Sequence, residues 1–157
     1  MRTDIMDKVT ADLLSVPPLI FREVRRSLHR TQAGIKPDIS PLHFEIMGLL
    51  RNEGTLYAAE IGERLCIARA HMTSLVDRLV ELGFVERQMD SSDRRVTNLV
   101  LTDKGKTVLE EHRSKMRNAV KETLSCLSDE ELNELSGSLR NIRNILAKLQ
   151  QERAIAN

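Results

Sequence analysis

Residues 61–105 read IGERLCIARA HMTSLVDRLV ELGFVERQMD SSDRRVTNLV LTDKG, and the fold turns on how that stretch divides. An amphipathic run from Arg69 to Leu82 stops at Gly83, a residue suited to the left-handed turn that ends helices. Phe84-Val85-Glu86-Arg87 follows as a short strand, Gln88 to Arg95 as a polar loop, and Val96 to Leu101 as the return strand. Tyr57 to Leu65 supplies a short helix ahead of the run, and Leu101-Thr102-Asp103-Lys104-Gly105 launches another behind the hairpin. A helix sized for a major groove, beside a hairpin tipped by Asp93-Arg94-Arg95, predicts a winged helix-turn-helix with double-stranded DNA as its partner.

Upstream, Ser40-Pro41 opens a helix with Ser as N-cap and Pro at the first position. Phe44, Met47 and Leu50 form its buried side, Asn52-Glu53-Gly54 ends it, and Gly34 to Ser40 reads as a loop before it. Ile5, Val9, Leu13 and Val16 make a helix-period stripe that Pro17-Pro18 interrupts. A second helix is therefore expected from the prolines to about Thr31, apolar on Ile20, Val24 and Leu28 and basic on Arg22, Arg25, Arg26 and Arg30.

Downstream, Thr102 caps a helix that continues to about Ser125, and Ser128-Asp129-Glu130-Glu131 is a capping box. Leu132, Leu135, Leu139, Ile142, Leu146 and Leu149 then alternate in steps of three and four, a pattern that wants a partner helix. The partner is either the Thr102 helix of the same chain or a second subunit. Because the first and last helices both carry apolar stripes, the expected use is a homodimer interface built from Val9, Leu13 and those six α-helical positions. The fold class is thus mainly α with a small β-hairpin wing. N-terminal dimerisation helices are expected over 1–36, a winged helix-turn-helix DNA-binding domain over 37–105, and C-terminal dimerisation helices over 106–157.

Composition agrees with a helical protein. Hydrophobic residues make up 41% of the 157, aromatics only 3%, and Trp is absent, so Leu, Ile and Val must fill the core. The net charge of +1 supplies no global basic field, and residues 55–105 hold seven Lys and Arg against eight Asp and Glu. DNA contact must therefore come from the placement of individual arginines. Cys66 and Cys126 form no disulfide framework, no secretory signal pattern is seen, and no apolar run approaches the roughly 18 residues of a membrane span. A cytoplasmic protein with reduced thiols and no membrane contact is expected.

Enzymatic motifs are missing. Gly105-Lys106-Thr107 has Val100 where a phosphate loop needs its first glycine. His29, His43, His71 and His112 lie at no metal-ligand spacing, and no nucleophile elbow arranges a serine. No enzyme, cofactor or metal is expected.

On the Arg69–Leu82 helix, Met72, Leu75, Val76 and Leu79 fall inward together with the preceding Ile67, while Arg69, Ala70, His71, Ser74 and Arg78 fall outward. Arg reads guanine, Ser and His serve several base edges, and small apolar groups meet the thymine methyl. Such a face alone is also what an ordinary solvated helix presents; the adjacent wing turns the reading towards DNA. At the wing, Asp90 and Asp93 flank Arg94-Arg95, and an Arg held by an Asp is suited to a narrow minor groove. Cys66 occupies a turn position that often wants Gly or Asn in the left-handed conformation.

These residues resemble the MarR family of transcription regulators over most of the chain. Ser40-Pro41-Leu42-His43-Phe44 resembles the start of the family's second helix, Ile61-Gly62-Glu63-Arg64-Leu65 its first HTH helix, and Met72 to Leu79 its recognition helix. Leu82 to Arg87 is similar to the start of its wing, and the most specific match is Asp90-Ser91-Ser92-Asp93-Arg94-Arg95 followed by Leu99 to Gly105. The resemblance implies a homodimeric repressor that grips a pseudo-palindrome and lets go on binding a small-molecule effector or another signal. It implies Arg94 as the minor-groove arginine braced by Asp93 and Arg95, and Arg69, Ala70, His71 and Ser74 as positions facing bases or phosphates; Thr73 and Arg78 complete the expected DNA-binding set. An effector pocket is expected from Phe21, His43 and Phe44. The chain departs from the family at Ala68, which offers no side-chain cap, at His71, at Tyr57 in place of a Ser or Thr cap, and at Ser92 in place of a basic residue. No cysteine precedes Cys66, so the family's N-terminal peroxide-sensing route is not expected. The alternative function is a protein-interaction module that uses the C-terminal heptads without specific DNA binding; a small helical enzyme lies further behind.

Overall fold

The computed structural model describes residues 1–31, 39–89 and 97–156, leaving aside the side chains of residues 27–31 and 153–156. Its elements in chain order are α1 (Arg2–Thr31), α2 (Pro41–Glu53), β1 (Leu56–Tyr57), α3 (Ala58–Arg64), α4 (Arg69–Glu81), β2 (Val85–Met89), β3 (Thr97–Leu101), α5 (Asp103–Leu124) and α6 (Asp129–Ala156). Most of the chain is helical with one small antiparallel sheet, the fold class expected from the sequence. Residues 28–117 form one compact unit, and residues 1–27 with 118–157 form a second.

The 28–117 unit holds the core. Met72, Leu75, Val76 and Leu79 recur at helical spacing on α4 and are all buried, against Ile46, Met47 and Leu50 of α2, Ile61 of α3 and Leu109 of α5. Burial of each large aliphatic side chain contributes about 1.5–3 kcal/mol, so this face fixes the orientation of α4 before any polar contact is considered. The hairpin pairs Val85 with Leu101 and Met89 with Thr97, and its alternation turns Leu99 and Leu101 into the core. A third strand, β1, lies on the other side of β3 with Leu56 opposite Leu99. The sequence reading did not anticipate β1, because two residues are too few to show alternation; it exists because buried Leu56 can extend the Leu99 face.

Helix α4 ends as its Gly83 suggests. Gly83 has φ +73°, its N–H donates to Val80 O (2.9 Å), and Phe84 N–H donates to Leu79 O (2.9 Å). That Schellman arrangement satisfies the last carbonyls and turns the chain sharply into β2.

In the second unit, α1 runs unbroken through Pro17 and Pro18, which corrects the expectation of two helices meeting there. Proline keeps a helical φ; what it removes are the N–H donors to the carbonyls one turn earlier, on Leu13 and Leu14. Both of those residues are exposed. Helix α6 starts with the expected reciprocal box: Ser128 N–H donates to Glu131 Oε2 (2.8 Å), and Glu131 N–H donates to Ser128 Oγ (3.2 Å). Leu132 and Leu135 are half-buried along a groove that Leu124, Leu139, Arg140 and Arg143 also line. Farther along, Leu139, Ile142, Leu146 and Leu149 are 46–49% exposed, and on α1 Val9 and Leu13 are 48% and 58% exposed. Half the area of each apolar side chain of the stripe therefore remains open to a further surface. Among the described residues, no helix is long and apolar enough to cross a membrane.

Candidate nucleic-acid interface

With its apolar face held in the core, α4 presents Arg69, Ala70, His71, Thr73 and Ser74 to solvent. Arg69 makes no ion pair among the described residues, and Thr73 Oγ1 donates back to Arg69 O at 3.2 Å. Arg78 lies farther along the helix, half-buried, with Nη1 2.7 Å from Glu81 Oε2. The N-cap is Ala68, which provides no side-chain acceptor, so the first N–H groups of α4 lack the usual cap. Just before it, Cys66 adopts φ +54° with its thiol exposed, the left-handed turn that its sequence position suggested.

The base of the wing is tied to the C-terminal end of α4 through Thr102. Its N–H donates to Phe84 O (3.0 Å), its hydroxyl lies 2.7 Å from Gly83 O and 3.1 Å from Phe84 O, and Gly105 N–H donates to Oγ1 (3.0 Å). One side chain thus caps α5 and holds the start of β2. Gly105 lets α5 come this close, since a Cβ there would stand only 2.1 Å from Phe84 O. Lys104 Nζ donates to Leu82 O (2.7 Å) and sits 5.3 Å from the Phe84 ring centre. On the other side, Arg87 of β2 reaches Asp77 of α4 at 2.5 Å. Sequence reading took Thr102 as a cap alone and gave no role to Asp77 or Arg87; those partners are ten and nineteen positions apart, beyond any helical or strand period. Asp90, Asp93, Arg94 and Arg95 lie outside the described residues.

These contacts also answer the negative charge of the segment. Asp77 is engaged by Arg87, Glu81 by Arg78, Asp103 by Lys106, and Glu60 by the Tyr57 N–H. These four acids are engaged in local structure, while Arg69, on the outward face, makes no ion pair among the described residues.

Between the N-terminal end of α2 and the flank of α4 lies a groove of about 550 Å³ lined by Ser40, His43, His71, Ser74, Leu75 and Arg78. Ser40 begins α2 in an unusual version of the capping box. His43 stands at the position normally taken by Glu or Gln, and its Nδ1 accepts from Ser40 N–H (2.9 Å) while Ser40 Oγ lies 2.8 Å from the same nitrogen. A backbone N–H can only donate, so Nδ1 is the acceptor and the ring proton sits on Nε2. His43 is only 7% exposed, and burial holds its pKa below the ordinary histidine value; the Ser40 bond pulls the other way, and nearby Arg78 and His71 add to the lowering.

Of the residues expected to line an effector pocket, His43 lines this groove. Phe44, next to His43 but turned by about 100° on the helix, stacks on His112 of α5 with ring centres 3.5 Å apart and planes 8° from parallel. Burial lowers the pKa of His112, with Lys115 adding to it. Phe21 is exposed on α1, in the other unit. Among the described residues, no group of three or more His, Cys, Asp or Glu is placed to hold a metal ion.

A three-helix core with an exposed second HTH helix and a hairpin braced against its end defines a winged helix-turn-helix. The MarR family model matches residues 39–97, which span α2 through the start of β3. The HTH-type transcriptional regulator YfiV of Bacillus subtilis (strain 168) is 30% identical over 118 residues, 75% of this chain and 74% of that protein. The HTH-type transcriptional repressor MdtR of the same organism is 26% identical over 126 residues, 80% of each chain. A MarR family protein from Bacillus stearothermophilus, known by its structure, superposes with a TM-score of 0.72 at 25% identity, covering 90% of this chain and 97% of that one. The chain belongs to the MarR family of transcription regulators.

Proposed function

We propose that the chain is a cytoplasmic, homodimeric repressor that binds a pseudo-palindromic operator and is released by a small-molecule effector or another signal. The observation that carries this reading is the division of α4: one face immobilised in the core, the other presenting Arg69, Ala70, His71, Thr73 and Ser74 outward. Arg78 and the wing residues Asp93, Arg94 and Arg95 complete the proposed contact set. The exposed stripe of Val9, Leu13, Leu139, Ile142, Leu146 and Leu149 supports the dimer, with half-buried Leu132 and Leu135 at its start. Two recognition helices would enter successive major grooves about 10 bp apart. The repressor sense follows the relative MdtR, which carries that description.

Fluorescence anisotropy against DNA from upstream of the protein's own gene tests the proposal, with scrambled DNA alongside and two salt concentrations. The expected result is tight, sequence-dependent binding that weakens steeply with salt, because bound phosphates release counterions. Equal and weak binding to both duplexes would favour the protein-interaction module instead.

A further inference from the structure

The apolar stripe of α1 carries a carboxylate at its edge. With each residue turning the helix by about 100°, Asp12 falls about 20° from Ile5, while Lys8 and Asp7 fall about 60° and 160° away. Ile5, Val9, Leu13 and Val16 remain exposed along that stripe, and exposed Asp12 makes no ion pair among the described residues. The stripe of α6 carries the opposite sign. By the same count Arg143 falls about 20° from Leu132. With Arg140 it borders a groove of about 520 Å³ that Leu124, Leu132, Leu135 and Leu139 also line. No carboxylate lines this groove, and neither arginine makes an ion pair among the described residues.

We propose that Asp12 of one copy pairs with Arg143 of the partner subunit across the homodimer, with the apolar stripe of α1 seated along the groove of α6. The inference rests on the chain being a homodimer, and it names which surfaces meet there. Docking either stripe on a purely apolar surface would strip water from a charge and leave it without a counter-charge, which is costly. Each stripe supplies what the other lacks: apolar side chains to cover, and a single bordering charge of opposite sign. A second copy of the chain offers both together. A two-fold axis that lays α1 of each chain on α6 of the other forms the pair twice. The pair also fixes the register, because a slide by one helical turn, about 5.4 Å, would part the two charges. Chains that share the apolar pattern but lack the charges are rejected by the same device.

Two charge reversals at these exposed positions test the pairing, Asp12→Arg and Arg143→Asp. Either variant alone sets like charges against each other at both pairs, and should weaken dimerisation about tenfold or more by sedimentation equilibrium. An equimolar mixture of the two variants should recover an affinity within about threefold of wild type. A dimer with one copy of each variant contains two pairs of opposite charge, whereas either homodimer contains none. Native mass spectrometry of the mixture should accordingly find the heterodimer in excess. A pair formed within one chain predicts the opposite, since each variant keeps its own like charges after mixing.

Single variants that dimerise like wild type, or a mixture no tighter than its components, overturn the pairing and leave the homodimer standing. A wild-type chain that stays monomeric at every concentration removes the homodimer and the pairing together. Should a single variant lose the circular dichroism of wild type, the double variant with both reversals in one chain decides. Wild-type dimerisation of that chain supports the pairing, and a loss of about tenfold overturns it.

Discussion

Replacing Gly105 by Ala sets two opposing effects against each other at the hinge between recognition helix and wing. In an open helix, Gly→Ala stabilises by about 1 kcal/mol. At Gly105 the new Cβ would stand 2.1 Å from Phe84 O, 2.8 Å from Leu101 Cδ1 and 3.0 Å from the Phe84 carbonyl carbon, where ordinary contacts begin at 3.4 Å. Two of those atoms are backbone, and Thr102 holds that carbonyl from both its N–H (3.0 Å) and its hydroxyl (3.1 Å), so no flexible side chain can give way. Overpacking of this kind costs about 1–3 kcal/mol, and moving Phe84 off Thr102 loses about 1 kcal/mol more. The net expectation is destabilisation by about 2 kcal/mol, from those two costs less the propensity gain. Gly137 in α6 is the control: a Cβ there meets nothing within 4 Å, and it sits opposite the Leu132–Leu135–Leu139 stripe. Gly137→Ala should therefore stabilise by up to about 1 kcal/mol. Urea unfolding of both variants at one protein concentration, with unchanged m-values, reads the difference. If Gly105→Ala stays within about 0.5 kcal/mol of wild type, or both variants shift the same way, the close approach described here is refuted.

Four other changes test neighbouring parts of the argument. Thr102→Val keeps shape but removes the hydroxyl shared by Gly83 O, Phe84 O and Gly105 N–H, and should cost about 1–3 kcal/mol in urea melts; an unchanged midpoint contradicts the double role of Thr102. Stability should fall as pH drops below about 6.5, the unfolded histidine value, because buried His43 and His112 have lowered pKa values and the unfolded chain takes up protons first. The loss should reach at most about 1.4 kcal/mol per pH unit for each ring and level off below their folded values, and urea midpoints flat from pH 7.5 to about 5 would disprove it. Leu139→Asp should turn the dimer into a monomer by sedimentation and weaken operator binding by about a hundredfold or more through lost bivalency; a monomer that still binds tightly refutes the arrangement. Arg94→Ala should cost about 1–3 kcal/mol in anisotropy, and wild-type affinity would remove the wing from the mechanism.

Local signals carried most of the architecture. The buried set Met72, Leu75, Val76 and Leu79 was legible as a helical period, and the Gly83 stop, the Thr102 cap and the Ser128–Glu131 box each depend on residues a few positions apart. Cys66 announced its left-handed turn by position alone. The orientation of α4, and with it the outward face of Arg69, Ala70, His71, Thr73 and Ser74, follows from the same periodicity, because a helix has only one way to bury one stripe.

What the tertiary structure decided are the relations between residues that no local period connects. Pro17-Pro18 looked like a boundary, yet α1 continues through both prolines, with the residues one turn earlier, Leu13 and Leu14, exposed. Strand β1 exists only through its partner β3, forty residues on, and the Asp77–Arg87 pair only through the Schellman turn between them. His43 is the sharpest case. As a letter it was one of four scattered histidines; in the fold, the Ser40 cap sets its tautomer, burial lowers its pKa, and it lines a groove shared with α4. Periodicity and capping are written within a few residues of sequence, whereas a buried ring's pKa depends on everything the fold brings around it.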